Sequence, residues 1–215
     1  MKTILQIVLW IICVLLGYLI YKSVTGPIEF AKVKERRYAD VIDRLKDIRN
    51  AQDAYKTVTG KYANDFNSLV AFVDTAKYTI TQQRDSSYMA YDKNYGIDLL
   101  QEVTLTDTLG FVAVKDSLFK NSDRYKTMMN VPHAQNNETF ELKADVIEKS
   151  GYKVPVFEAK VEKKVVLYDQ PADLLARENV QQNVEEVNGT AIRVGSLTEV
   201  STSGNWPPIY DKKNE

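Results

Sequence analysis

Residues 4–21, ILQIVLWIICVLLGYLIY, decide how the rest of the chain is read. The run carries no charge, and Gln6 is its only strongly polar side chain. As a helix rising about 1.5 Å per residue it spans roughly 27 Å, close to the ~30 Å hydrocarbon core of a bilayer. Lys2 and Lys22 bracket it, and Tyr18 and Tyr21 stand near its far edge, where interfacial aromatic rings sit. Nothing after Lys22 is comparably long and apolar. The expectation is a single-pass anchor embedded in a lipid bilayer. The run is too long for the apolar part of a cleaved export signal and has no A-x-A-like end.

Orientation rests on two opposing cues. Lys22, Lys32, Lys34, Arg36 and Arg37 follow the span, and the positive-inside rule alone puts the following part in the cytoplasm. A start of Met-Lys-Thr before an apolar run is that of an export-targeted chain. Four of the five basic residues also belong to a helix that carries Glu29, Glu35 and Asp40. The expected location is a bacterial inner (cytoplasmic) membrane, with the soluble part outside the cytoplasm.

The 215 residues and a formal charge of −1 leave room for one domain, or two small ones, beyond the anchor. No basic field suggests nucleic acid. The single cysteine, Cys13, lies inside the apolar run, so the soluble part has neither disulfide nor thiolate metal site. Its stability must come from an apolar core, to which 13 tyrosines and 7 phenylalanines can contribute.

Beyond the anchor, Gly26-Pro27 is expected to interrupt the helix, with Pro27 opening a new one. Tyr38, Val41, Leu45, Ile48, Gln52 and Tyr55 then step by three and four along one face, and Gly60 closes the helix. That stripe has two readings. It is the face of a long helix lying on its own domain, or a seam for other subunits, with Tyr38, Val41, Leu45, Ile48 and Tyr55 as the assembly face. Residues 65–74 read as a short second helix. From Lys77 the period becomes two. Residues 102–106 and 110–114 read as two strands joined by Asp107-Thr108-Leu109, and residues 86–100 are mixed and tyrosine-rich. Residues 120–137 read as a polar loop. Strands follow on both sides of Ser150-Gly151, with Pro155 marking an edge or a strand start. Residues 161–167 read as a further strand, 171–179 as a helix and 190–194 as a last strand. The fold class is α+β: a transmembrane helix, a long amphipathic helix, then a mostly antiparallel β-sheet domain. The divisions are 1–26 anchor, 27–60 stalk helix, 61–203 soluble domain and 204–215 tail.

Catalytic signatures are missing: no G-x-S-x-G, Walker loop, G-x-G-x-x-G or H-E-x-x-H occurs. His133, the lone histidine, lies in a polar stretch and reads as a surface residue. Asp92-Lys93-Asn94 and Asn121-Ser122-Asp123 offer oxygen ligands without calcium-loop spacing. No catalytic residue, cofactor, metal or small-molecule substrate is expected. Trp206, Pro207, Pro208 and Ile209 form an extended aromatic tail that either docks a partner or folds back over its own sheet.

The order of parts resembles type IV pilins and the pseudopilins of type II secretion. The closest local likeness is residues 48–73, IRNAQDAYKTVTGKYANDFNSLVAFV, where Tyr55, Gly60, Tyr62 and Leu69 fill the places of the family's helix end, glycine-x-tyrosine and short helix. The leader glycine and the intramembrane glutamate of that group are absent, so its peptidase step is not implied. The resemblance implies a non-enzymatic, membrane-anchored structural subunit of a secretion, pilus or envelope assembly, self-associating or meeting protein partners through the stalk helix. The alternative is a monomeric anchored adaptor that holds one envelope protein through a sheet edge or the Trp206 tail.

Overall fold

The computed structural model describes residues 2–92, 96–120, 122–180 and 183–211. The architecture is α+β: a long N-terminal helix followed by antiparallel sheets. The first helix, α1, runs without a break from Lys2 to Thr59. Its N-terminal part is long and apolar enough to cross a membrane, and none of that apolar window is buried against the protein. The expected break at Gly26-Pro27 does not occur, since Pro27 lies inside the helix. A proline there removes one helical donor and crowds the preceding turn. The helix bears that single loss and continues because its distal half is held by the domain. Gly60 ends it as expected, at φ +76°, its amide 2.8 Å from the Lys56 carbonyl.

Contact with the domain begins at Phe30, the first buried residue of α1. Tyr38, Val41, Ile42, Leu45, Ile48, Ala51 and Gln52 then have no exposed surface. The stripe is thus the face of a helix lying on its own domain. This corrects the seam reading: Tyr38, Val41, Leu45 and Ile48 have no surface left for a neighbour, and Tyr55 is half-buried with its ring 5.0 Å edge-on from Phe72. Only a short segment between the apolar run and Phe30 stands free, so the stalk is the spine of the domain. Gln52 sits on the apolar face because both ends of its amide are hydrogen-bonded. It donates to the Ala63 carbonyl at 2.8 Å and accepts from the Ala63 amide at 2.9 Å.

Helix α2, Phe66–Thr75, starts where Asp65 caps it, the carboxylate accepting from the Ser68 amide at 2.7 Å. Leu69 and Val73 point it into the core. Strands β1 (Lys77–Asp92) and β2 (Ile97–Ala113) pair only with each other. This corrects the expected hairpin around Asp107-Thr108-Leu109. Those residues lie within β2, where the register slips between Ile80 and Thr81 and Leu109 is the extra residue of a bulge. The two strands stay paired as far as Asp92 and Ile97. Val114, expected in a strand, opens the short helix α3, Val114–Phe119. The supposed polar loop over 120–137 contains a 3₁₀ turn at Asp123–Thr127, and Tyr125 and Met128 are buried in it.

Strands β3 (Glu141–Lys149), β4 (Tyr152–Glu162) and β5 (Ala191–Gly195) form an antiparallel sheet in that spatial order. Ser150 and Gly151 both take positive φ, 53° and 82°, the geometry of a tight two-residue hairpin turn. Pro155 is tolerated because β5 reaches only Glu158–Glu162 on β4, so that flank of β4 is a free edge. Phe157, Ala159 and Val161 of β4 and Ile192 and Val194 of β5 are buried. Gly195, at φ +77°, passes so close to β4 that an added Cβ would lie 2.2 Å from the Phe157 carbonyl oxygen. The strand expected over 161–167 stops at Glu162. Lys163–Val166 is one helical turn, α4, and Ala172–Val180 is helix α5.

Candidate functional site: a bare two-stranded arm beside a sealed junction

Four charges lie where α1 meets α5 and the loop after it. The Lys163 ammonium has no exposure and meets three acceptors: Glu178 Oε1 at 3.0 Å, the Glu178 carbonyl at 3.2 Å and the Val187 carbonyl at 2.7 Å. Those use all its N–H donors. The other Glu178 oxygen accepts from Lys34 at 3.0 Å, and Lys34 also reaches Glu186 at 2.6 Å. Burial pulls the Lys34 ammonium down, but hydrogen bonds to Glu186 and Glu178 outweigh it and leave its pKa raised. Tyr38 donates to Glu178 at 3.4 Å, and burial together with that carboxylate pushes the phenol far up. Next to this cluster Arg37 grips Asp169 with two bonds, 2.7 and 2.8 Å, and donates to the Val166 carbonyl. The cluster is neutral and internally paired, so it fixes α5 to α1 and presents no free acid, base or nucleophile. Sequence reading missed it. The available signal was parity: Lys163 shares the inward face of Phe157, Ala159 and Val161 at alternate positions.

The tail folds back. Trp206 is buried, its indole donating to Asp211 at 3.1 Å, and its ring lies on Gly204, where a Cβ would come within 2.3 Å of it. Lys46 of α1 donates to the Tyr210 carbonyl and sits 3.4 Å from Asp211. Pro207 is buried and Pro208 and Ile209 are exposed. As a docking tail, Trp206 and Pro207 are corrected: their own domain occupies them. His133 is on the surface, its Nε2 2.6 Å from Asp40. Among the described residues no group of three or more His, Cys, Asp or Glu is placed to hold a metal. Of the oxygen-ligand candidates, Lys93, Asn94 and Asn121 lie outside the described residues. An open cleft of about 420 Å³ between residues 61–65 and β3 contains Asp65 and Asp145. Each already accepts from a backbone amide, Ser68 and Val146 respectively.

What remains uncovered is the β1–β2 hairpin. Sixteen residues pair along β1, giving an arm of ~50 Å at about 3.3 Å per residue. Comparison with known proteins gives no match to a family model, to a curated protein or to a solved structure. The arm is therefore read from its own chemistry. Residues directly opposite share a face. One face carries the pairs Tyr88–Gln101, Ala90–Leu99, Ser86–Val103 and Arg84–Leu105. The opposite face carries Thr81–Thr108, Gln83–Thr106, Asp85–Thr104 and Ser87–Glu102. The first face is the more apolar of the two: Ile97, Leu99, Val103 and Leu105 line its β2 side and Tyr88 and Ala90 its β1 side, interspersed with Gln82, Arg84, Ser86, Gln101 and Asp107, and it continues at the base into Tyr78, which packs against the domain core. Its charged pair, Arg84 and Asp107, is neutralised internally at 3.2 Å. The second face is polar between Phe111, 66% exposed at its base, and the tip, where Met89, Leu100 and Tyr91 stand more than 60% exposed. Ile97, Val103 and Leu105 on the first face are 55, 38 and 39% exposed.

Proposed function

We propose that the protein is a non-enzymatic structural subunit, anchored through residues 4–21 in a bacterial inner membrane, that builds an envelope, secretion or pilus-type assembly through its β-arm. The observation that carries this reading is the bare arm. A two-stranded ribbon is marginally stable alone in water, and an antiparallel ribbon with one apolar face normally buries that face. The stalk helix, by contrast, is spent on the domain's own core, which moves the assembly contacts from helix to arm. For the adaptor reading, burial of Trp206 leaves a sheet edge, and not the tail, to hold a partner.

Placement of the domain outside the cytoplasm is part of the proposal. Lys34 and Arg37, two of the basic residues after the span, have carboxylate partners within the domain and so offer less charge to an anionic membrane surface. Two measurements test the reading. A membrane-impermeant protease applied to intact and opened cells reports the side on which the domain lies. Mild detergent extraction followed by sedimentation reports assembly. The intact chain is expected in particles larger than one detergent-bound monomer. A chain with residues 81–109 replaced by Asn-Gly, joining the paired Ile80 and Gly110, is expected as the monomer, still folded. A monomeric intact chain overturns the proposal.

A further inference from the structure

We infer that the arm's occupant is a second copy of this chain, the two arms packing apolar face to apolar face. The inference rests on the assembly reading above and names the partner of that same surface. Three observations single out the copy. The first is charge. From its base to the Ala90–Leu99 pair, the more apolar face carries as charged residues only Arg84 and Asp107, already paired with each other, so over that length it can meet itself without like-charge conflict; Asp92 stands beyond it at the tip. The polar face carries Asp85 and Glu102 beside Ser and Thr, and two such faces would set carboxylates against carboxylates. The second is area. A ribbon ~50 Å long and ~10 Å wide offers about 500 Å² per copy, and two copies bury about 1,000 Å², the lower bound for a specific interface. The third is continuity: the face is the outward extension of the surface that Tyr78 buries at the base, so pairing prolongs an existing core. The charged residues of β1 and β2, Lys77, Arg84, Asp85, Asp92, Asp98, Glu102 and Asp107, include more acids than bases, which disfavours an anionic lipid surface as the occupant.

The test uses the full chain in its membrane, with Cys13→Ala removing the only native thiol and two epitope tags marking two populations. Single cysteines are placed on the apolar face (Tyr88→Cys, Val103→Cys, Leu105→Cys) and on the polar face (Ser87→Cys, Thr104→Cys). All five sites are exposed, so folding does not depend on them. A short bis-maleimide is expected to give mixed-tag dimers at least tenfold more from the apolar face than from the polar face. Adding Val103→Lys and Leu105→Lys to Tyr88→Cys is expected to lower that yield tenfold or more. Equal yields from both faces overturn the inference, as does the absence of mixed-tag dimers, or adducts formed only with a different protein. So does shielding of the apolar-face thiols by lipid without dimer formation. The sedimentation result separates the two claims. Large particles without mixed-tag dimers sink the self-pairing and leave the assembly reading standing, whereas a monomeric intact chain sinks both.

Discussion

Glu178 lies between two ammonium groups, and the consequence is specific to that residue. Glu178→Ala leaves Lys163 fully enclosed without its carboxylate, and breaking such a pair costs about 3–5 kcal/mol. Denaturant unfolding of the detergent-solubilised chain should show that loss, with Glu186→Ala, at the half-exposed end of the cluster, costing much less. Gly195→Ala has a different cause: positive φ and a carbonyl oxygen 2.2 Å from the new Cβ. It should cost about 2–4 kcal/mol, measured the same way. Tyrosines set the alkaline limit. Burial and the Asp53 carboxylate push Tyr62 to about 12, the hydrogen bond to Asp74 pushes Tyr125 to about 12, and burial does so for Tyr210. A folded pKa above the unfolded ~10 contributes stability that is intact below pH ~10 and is lost as pH rises toward 12. Ultraviolet titration should find these phenols ionising late and together with loss of fold. The acid side is set by Asp169, which the Arg37 guanidinium holds at about 2. Its contribution is present above the unfolded ~4 and fades as pH falls toward 2, and Asp169→Asn should flatten stability in that window.

At the scale of elements, α1 makes the clearest prediction. Leu45→Cys and Ile48→Cys should resist a water-soluble maleimide in the native protein and react on unfolding, because both positions are enclosed by the domain. Leu45→Ala should cost about 2–5 kcal/mol. The arm behaves in the opposite way. Its amides over 81–92 and 97–107 should exchange with deuterium far faster than those of β3 and β4 in dilute detergent, and slow down when copies pair. Much of this layout was legible from residue spacing: the stripe on α1, Gly60 as its stop, Asp65 before α2, and Ser150-Gly151 between β3 and β4. The errors have identifiable origins. Pro27 was read as a break because local propensity was weighed without the packing that holds the helix. Asp107-Thr108-Leu109 was read as a turn because one extra residue at a bulge imitates a change of register. Residues 161–167 read as a strand, whereas the strand ends at Glu162 and Lys163 opens a helical turn, keeping the inward parity of Phe157, Ala159 and Val161. The apolar alternation of Ile97, Leu99, Val103 and Leu105 was present, but Ser86, Ser87 and the tyrosines opposite masked it.

For the whole molecule, the folded body begins close to the end of the apolar run. From Lys22 to Phe30 is ~12 Å of helix at about 1.5 Å per residue. The body is closed at that end by the ionic cluster and along α1 by the returning tail. Trp206→Ala should therefore unfold the domain more readily, by about 3–5 kcal/mol, rather than release a partner. Thermal melts of the anchored chain decide between those outcomes: a lowered midpoint marks the structural role.

Because the backbone is helical without interruption from Lys2 to Thr59, the segment in lipid and the spine of the body turn as one shaft. Whatever sets the azimuth of the membrane part, such as a neighbouring helix against Trp10 or Tyr18, also aims the hairpin.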